Sequence, residues 1–150
     1  MAQAPNQIAL SQKQKAQGKG GHDPERAAVR RTVQSDDSLK SAKLAAAAVL
    51  DKKAEDIVVI DLRELSSYTD FLVICSGSSD RQLDAIAEGA EKAMREAGHR
   101  VVGSEGENSG RWVLLDFGDV IVHVFHQQER GFYDLEGLWA DAPRVEVPAR

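Results

Sequence analysis

Gly106-Glu107-Asn108-Ser109-Gly110-Arg111-Trp112 stands directly ahead of two apolar runs, Val113 to Leu115 and Val120 to His126, which are separated by Asp116-Phe117-Gly118-Asp119. Two β-rich segments joined by a short loop carrying Gly and Asp read as a hairpin. Alternation along the first segment sends Trp112 and Leu114 one way and Val113 and Leu115 the other, so both faces of the sheet are apolar. Helices of a small domain can cover one such face. The other is expected to need a partner, which points to a binding surface before an active site.

Outward from the hairpin, the chain divides by composition. Of its 150 residues, 1–34 carry six basic and two acidic side chains, a net of +4, and residues 35–150 carry 13 and 22, a net of −9. The first stretch has too few large apolar side chains to offset its ordering entropy and is expected to be a disordered basic tail. The rest suffices for one α/β domain over 35–142, followed by a flexible tail over 143–150. An acidic domain repels a phosphate backbone and suits a basic protein partner. Only the tail offers a non-specific contact to RNA.

Met1 to Gly20 contains no apolar run of signal-peptide length, and no stretch approaches a membrane span. The lone Cys75 lies in an apolar strand pattern, where burial as a small hydrophobe is the default. These features fit a reducing, cytoplasmic setting.

The first helix is expected to start at Ser35 or Ser38, with Leu39, Ala42, Ala46, Val49 and Leu50 at helical spacing. Ile57-Val58-Val59-Ile60 reads as a strand buried on both faces, and Phe71 to Cys75 as a second. Ser79 and Gln82 have capping-box spacing ahead of Leu83, Ile86, Ala87, Ala90, Ala93, Met94 and Ala97, and Gly98 supplies the stop. Val101-Val102 reads as a short strand, and Phe132, Leu135, Leu138 and Trp139 as a last helix. The sum is an α+β two-layer sandwich: a mixed five-stranded sheet with helices mainly on one face.

Residues that could carry chemistry fall short of a set. Gly77-Ser78-Ser79-Asp80 at a strand-to-helix junction could hold a phosphate, as in nucleotidyltransferases. Such enzymes need paired carboxylates on the next strand for metal ions, and His99-Arg100-Val101-Val102 has none. Asp116 and Asp119 bracket a turn, where Asp is expected for geometry alone. His123 and His126 are three apart on a strand and face opposite sides. No nucleophile–base pair can be assembled. No catalytic residue, metal or cofactor is expected. Trp112 and Leu114 pass into Asp116 on one face, grading from apolar to acidic as an interface centre and rim would. Glu105, Glu107 and Asn108 lie in the loop before Trp112. Arg130 and Tyr133 fall off the stripe of Phe132, Leu135 and Trp139, which reads as core, and are available for contacts.

Four separated motifs resemble the ribosomal silencing factor family, also called Iojap. They are Thr69-Asp70-Phe71; Cys75-Ser76-Gly77-Ser78-Ser79; Glu105 to Ser109 with Trp112 and Asp116 to Phe125; and Arg130 to Trp139. The resemblance runs from about Leu39 to Ala142. It implies a non-enzymatic translational repressor with a nucleotidyltransferase-like fold lacking catalytic carboxylates. Members bind a large-subunit ribosomal protein, L-fourteen, block joining of the small subunit when nutrients are scarce, and form homodimers through an overlapping surface. Carried over by position, Trp112 would be a central contact that can be cut to Ala with the fold intact. The alternative is a nucleotidyltransferase-like enzyme or nucleotide-binding protein using Ser78, Asp80, Asp116 and Asp119.

Overall fold

The computed structural model describes residues 24–106 and 111–147, with side chains from residue 36 onward. Its elements follow as α1 (Pro24–Asp51), β1 (Glu55–Asp61), β2 (Phe71–Gly77), α2 (Asp80–Glu96), β3 (Gly103–Glu105), β4 (Trp112–Asp116), β5 (Val120–His126), α3 (Gln127–Tyr133), α4 (Leu135–Leu138) and β6 (Arg144–Val145). The sheet has six strands in the order β3-β4-β5-β2-β1-β6. Only β2 and β5 run parallel.

The fold is α+β, as expected, but the sheet has a sixth strand. Arg144 and Val145 pair with Ile60 and Val59, and Asp61 N–H donates to the Pro143 carbonyl. The segment after residue 142 is therefore tied to the sheet as far as Val145 and is not wholly loose. A two-residue strand has no period to read, which is why it escaped the pattern.

The first helix also starts earlier than its serines suggest, at Pro24. Proline is pre-organised for the first helical turn, where its missing N–H is not needed. Ser38 is instead buried in the helix and donates to Asp70 Oδ2 at 2.6 Å, and Ser41 donates back to the Asp37 carbonyl at 3.0 Å. The expected tail boundary at residue 34 falls inside α1, and residues 1–23 lie outside the described residues. Ser38, Ser41, Ala42, Ala45, Ala46 and Val49 form its buried stripe. These small residues let α1 lie close on α2 and the sheet.

The second helix matches its pattern, although at 17 residues it is shorter than the 28-residue α1. Ser79 caps α2, accepting from Gln82 N–H at 3.1 Å, and Leu83, Ile86, Ala87, Ala90 and Met94 are buried. Gly98 takes φ +92° and ends it. Complete burial of Leu83, Ile86 and Met94 contributes about 1.5–3 kcal/mol each. The reach-back half of the capping box is displaced by one residue, because Gln82 Oε1 accepts from Ser78 N–H, at 2.7 Å. The third strand is displaced too. It forms at 103–105, where the chain pairs with Leu114 to Asp116, leaving Val102 70% exposed.

Central β2 is buried throughout, and its side chains part to two cores. Phe71, Val73 and Cys75 join α1 and α2 on one face, with Val113 and Leu115. Leu72, Ile74, Trp112, Leu114, Ile121 and Phe125 form the other core with Leu135, Trp139 and Ala142. The chain thus covers its second face with its own C-terminal segment. That face does not wait for a partner, contrary to the expectation drawn from the alternation alone.

Candidate functional site

The parallel pair β2–β5 defines two ends of the sheet. At the end reached by Gly77 and His126 stand the start of α2, the chain around Gly106 and Arg111, and α3. His126 N–H donates to the Arg111 carbonyl at 2.8 Å, binding the approach to Trp112 onto β5. At the far end lie the Asp116–Asp119 turn and Asp70, whose N–H donates to the Asp119 carbonyl. Seven residues of extended chain separate the ends by about 20 Å.

This placement sorts the expected contact residues. Glu105, Trp112, Arg130 and Tyr133 gather toward the first end, with Glu105 and Leu114 paired across β3–β4. Glu107 and Asn108 lie outside the described residues. Asp116 belongs to the opposite end, where its Oδ1 accepts from Gly118 N–H at 2.8 Å, the turn role expected of it. The same geometry separates Ser78 and Asp80 from Asp116 and Asp119. The four residues needed by the nucleotidyltransferase reading therefore do not meet.

Trp112 and Leu114 are each only 5% exposed. The Trp112 indole N–H donates to His123 Nδ1 at 3.3 Å, and His123 is fully buried. An indole only donates, so Nδ1 must be unprotonated and the neutral ring carries its proton on Nε2. Burial pushes the His123 pKa down to about 3. Its buried Nε2 has no hydrogen-bond partner. His126 points to the other face, and its Nδ1 accepts from Gln128 N–H to start α3. Gly106, at φ +78°, packs against Trp112 so closely that a Cβ would run into the Trp112 carbonyl and ring.

From His123 an aromatic series runs outward. His123 and Phe125 stack at 6.0 Å, Phe125 and Tyr133 at 5.9 Å, and Tyr133 meets Phe132 edge-on at 5.1 Å. Phe132 is 79% exposed, the most exposed large apolar side chain among the described residues. Arg130 does the reverse. Its side chain is 12% exposed, its Nε donates to Glu136 at 2.9 Å, and its Nη1 donates to Ser76 Oγ at 2.8 Å. The expected roles of Phe132 as core and Arg130 as a free contact are thus exchanged. The cause is Asp134, which takes a left-handed conformation at φ +45° and splits the expected single helix into α3 and α4. Leu135 and Trp139 stay in the core. Sequence reasoning missed Phe132 and the Ser76–Arg130–Glu136 clamp; the adjacent Phe132-Tyr133 pair, which one stripe cannot bury whole, was the available signal.

Several other chemical groups are inert here. Cys75 is buried, and burial raises its thiol pKa to about 12. Gln82 fills the mouth of the Gly77-Ser78-Ser79 junction, accepting from Ser78 N–H and Oγ and donating to the Lys53 carbonyl at 3.0 Å. Among the described residues no group of three His, Cys, Asp or Glu could hold a metal ion. No helix among them is long and apolar enough to cross a membrane.

Residues 35–150 match the sequence model of the family described as ribosomal silencing factor during starvation. The chain belongs to the ribosomal silencing factor family. It is 49% identical over 105 residues to ribosomal silencing factor RsfS of Halalkalibacterium halodurans, covering 70% of this chain and 90% of that protein. It is 38% identical over 123 residues to the chloroplastic protein Iojap of Zea mays, covering 78% of this chain and 52% of that one. A crystal structure of a protein from Chromobacterium violaceum superposes with a TM-score of 0.66 at 40% identity, covering 74% of this chain and 89% of that chain. As a ribosomal silencing factor family member, the chain is a ribosome-associated regulator of translation.

Proposed function

We propose that this protein binds the large ribosomal subunit through ribosomal protein L-fourteen and sterically blocks association with the small subunit, slowing protein synthesis when nutrients are limiting. The observation that carries the reading is the family match over residues 35–150. The physics agrees with it. A domain with a net charge of −9 complements a basic ribosomal protein and gains association rate from it. Occupying a joining surface requires no bond-making, and the contact residues are Glu105 and Tyr133 at the end of the sheet, supported from within the fold by Trp112, Leu114 and Arg130, together with Glu107 and Asn108 of the sequence before Trp112. Asp116, at the opposite end, serves the rim only if the partner reaches along β4. The protein acts in the cytosol, pairs as a homodimer when no ribosome is at hand, and uses the basic residues of its N-terminal sequence for salt-sensitive contact with ribosomal RNA.

The test is co-pelleting of purified protein with isolated large subunits, followed by light scattering of subunit joining with and without it. Co-pelleting with reduced joining is expected. Failure to pellet overturns the reading. A nucleotide-binding enzyme would instead show metal-dependent nucleotide binding, which the Gln82 plug and the separation of Ser78 from Asp116 both oppose.

A further inference from the structure

Phe132 has no structural reason to stand in water. Burying a Phe side chain is worth about 1.5–3 kcal/mol, and this one is 79% exposed in a segment that is firmly held. The Arg130 clamp onto Ser76 and Glu136 fixes α3 against β2, and Tyr133 is wedged between Phe125 and Phe132. The ring is therefore presented in advance, with little side-chain entropy left to lose on contact. Its rim is acidic. Asp134 is exposed beside it, Glu129 lies one turn back, and the cation two residues before it, Arg130, is spent on Glu136. A pre-positioned aromatic knob inside an acidic rim fits an apolar recess bordered by Lys or Arg.

We infer that Phe132 is the apolar anchor by which this surface seats on a basic protein of the large ribosomal subunit, with Trp112 as buried support and not the contact itself. The inference rests on the reading above and deepens it. A second copy of this chain sets acidic rim on acidic rim at Phe132, so it seats there more weakly than a basic protein does, as a pairing that yields to the ribosome must. RNA is a poorer occupant still, for the same reason.

The test uses the full chain in two forms. Phe132→Ser is measured for co-pelleting with isolated large subunits, with its thermal unfolding compared to wild type. Separately, p-benzoylphenylalanine replaces Phe132 and is photo-crosslinked in the presence of large subunits. An unchanged unfolding midpoint, binding weakened at least about tenfold, and a crosslink to a basic ribosomal protein are expected. Wild-type binding with an equally tight Phe132→Ser overturns the anchor and leaves the ribosomal reading standing. So does a crosslink confined to ribosomal RNA or to a second copy. A wild-type protein that does not pellet overturns the ribosomal reading, and the anchor with it.

Discussion

The indole N–H of Trp112 ends on Nδ1 of His123, 3.3 Å away across the β4–β5 ladder and sealed from solvent. This contact sets the ring's tautomer, holds β4 to β5 through their side chains as well as their backbones, and begins the aromatic series that reaches solvent at Phe132. A residue so placed is part of the packing of the sheet.

Truncation at Trp112 is therefore a test of stability. Trp112→Ala should cost about 3–5 kcal/mol, the range for emptying a large core site. Trp112→Phe keeps most of the volume and removes only the donor, for about 1–3 kcal/mol, because Nδ1 is left buried and unpaired. Urea unfolding of both proteins checks the order. An unaltered midpoint for Trp112→Ala would return this residue to the role of an exposed contact.

The same histidine links folding to pH. Its folded pKa, about 3, lies below the ordinary 6.5, so the unfolded chain binds the extra proton across that window. Stability is then complete above about pH 6.5 and is lost as pH falls, by at most about 1.4 kcal/mol per pH unit. His123→Gln keeps an acceptor for the indole and cannot titrate. Urea midpoints from pH 7 to pH 5 should fall more steeply for wild type than for His123→Gln, and parallel slopes would remove His123 as the cause.

Gly106 is the residue that lets the chain close over Trp112. Its positive φ disfavours any side chain, and the Cβ of an alanine meets backbone and ring, neither of which can swing aside. Gly106→Ala should cost about 1–3 kcal/mol from the backbone strain alone, and more through the displaced indole. Gly103, with open space around its Cβ position, is the control: Gly103→Ala should leave the unfolding midpoint nearly unchanged.

The stripe of α2, the Gly98 stop and the turn at Gly118 were legible because each rests on a local rule. Period 3.6 is written into Leu83, Ile86, Ala90 and Met94, and φ beyond +80° at Gly98 and Gly118 needs glycine. What covers Trp112 was not legible. Its cover comes from Leu135, Trp139 and Ala142, far along the chain, and alternation within β4 says only that a face is apolar. Phe132 and Arg130 changed places for a similar reason. A helical wheel drawn through residues 130–139 assumes one axis, and the left-handed Asp134 makes two.

Arg130 gives the last prediction, and it separates support from contact. Its guanidinium links β2 at Ser76 to α4 at Glu136 with little solvent about it, so removing it strands a partly buried carboxylate and a buried hydroxyl. Arg130→Met preserves the aliphatic stem and should still cost about 2–4 kcal/mol. Glu136→Gln keeps an acceptor for Nε and should cost less, and the double variant should cost less than the two single losses added, since each single change leaves the other partner unpaired. Double-mutant cycles from urea unfolding measure this coupling. Additive losses would mean that Arg130 and Glu136 do not depend on one another. Arg130 would then be free to meet a partner, as its place off the apolar stripe first suggested.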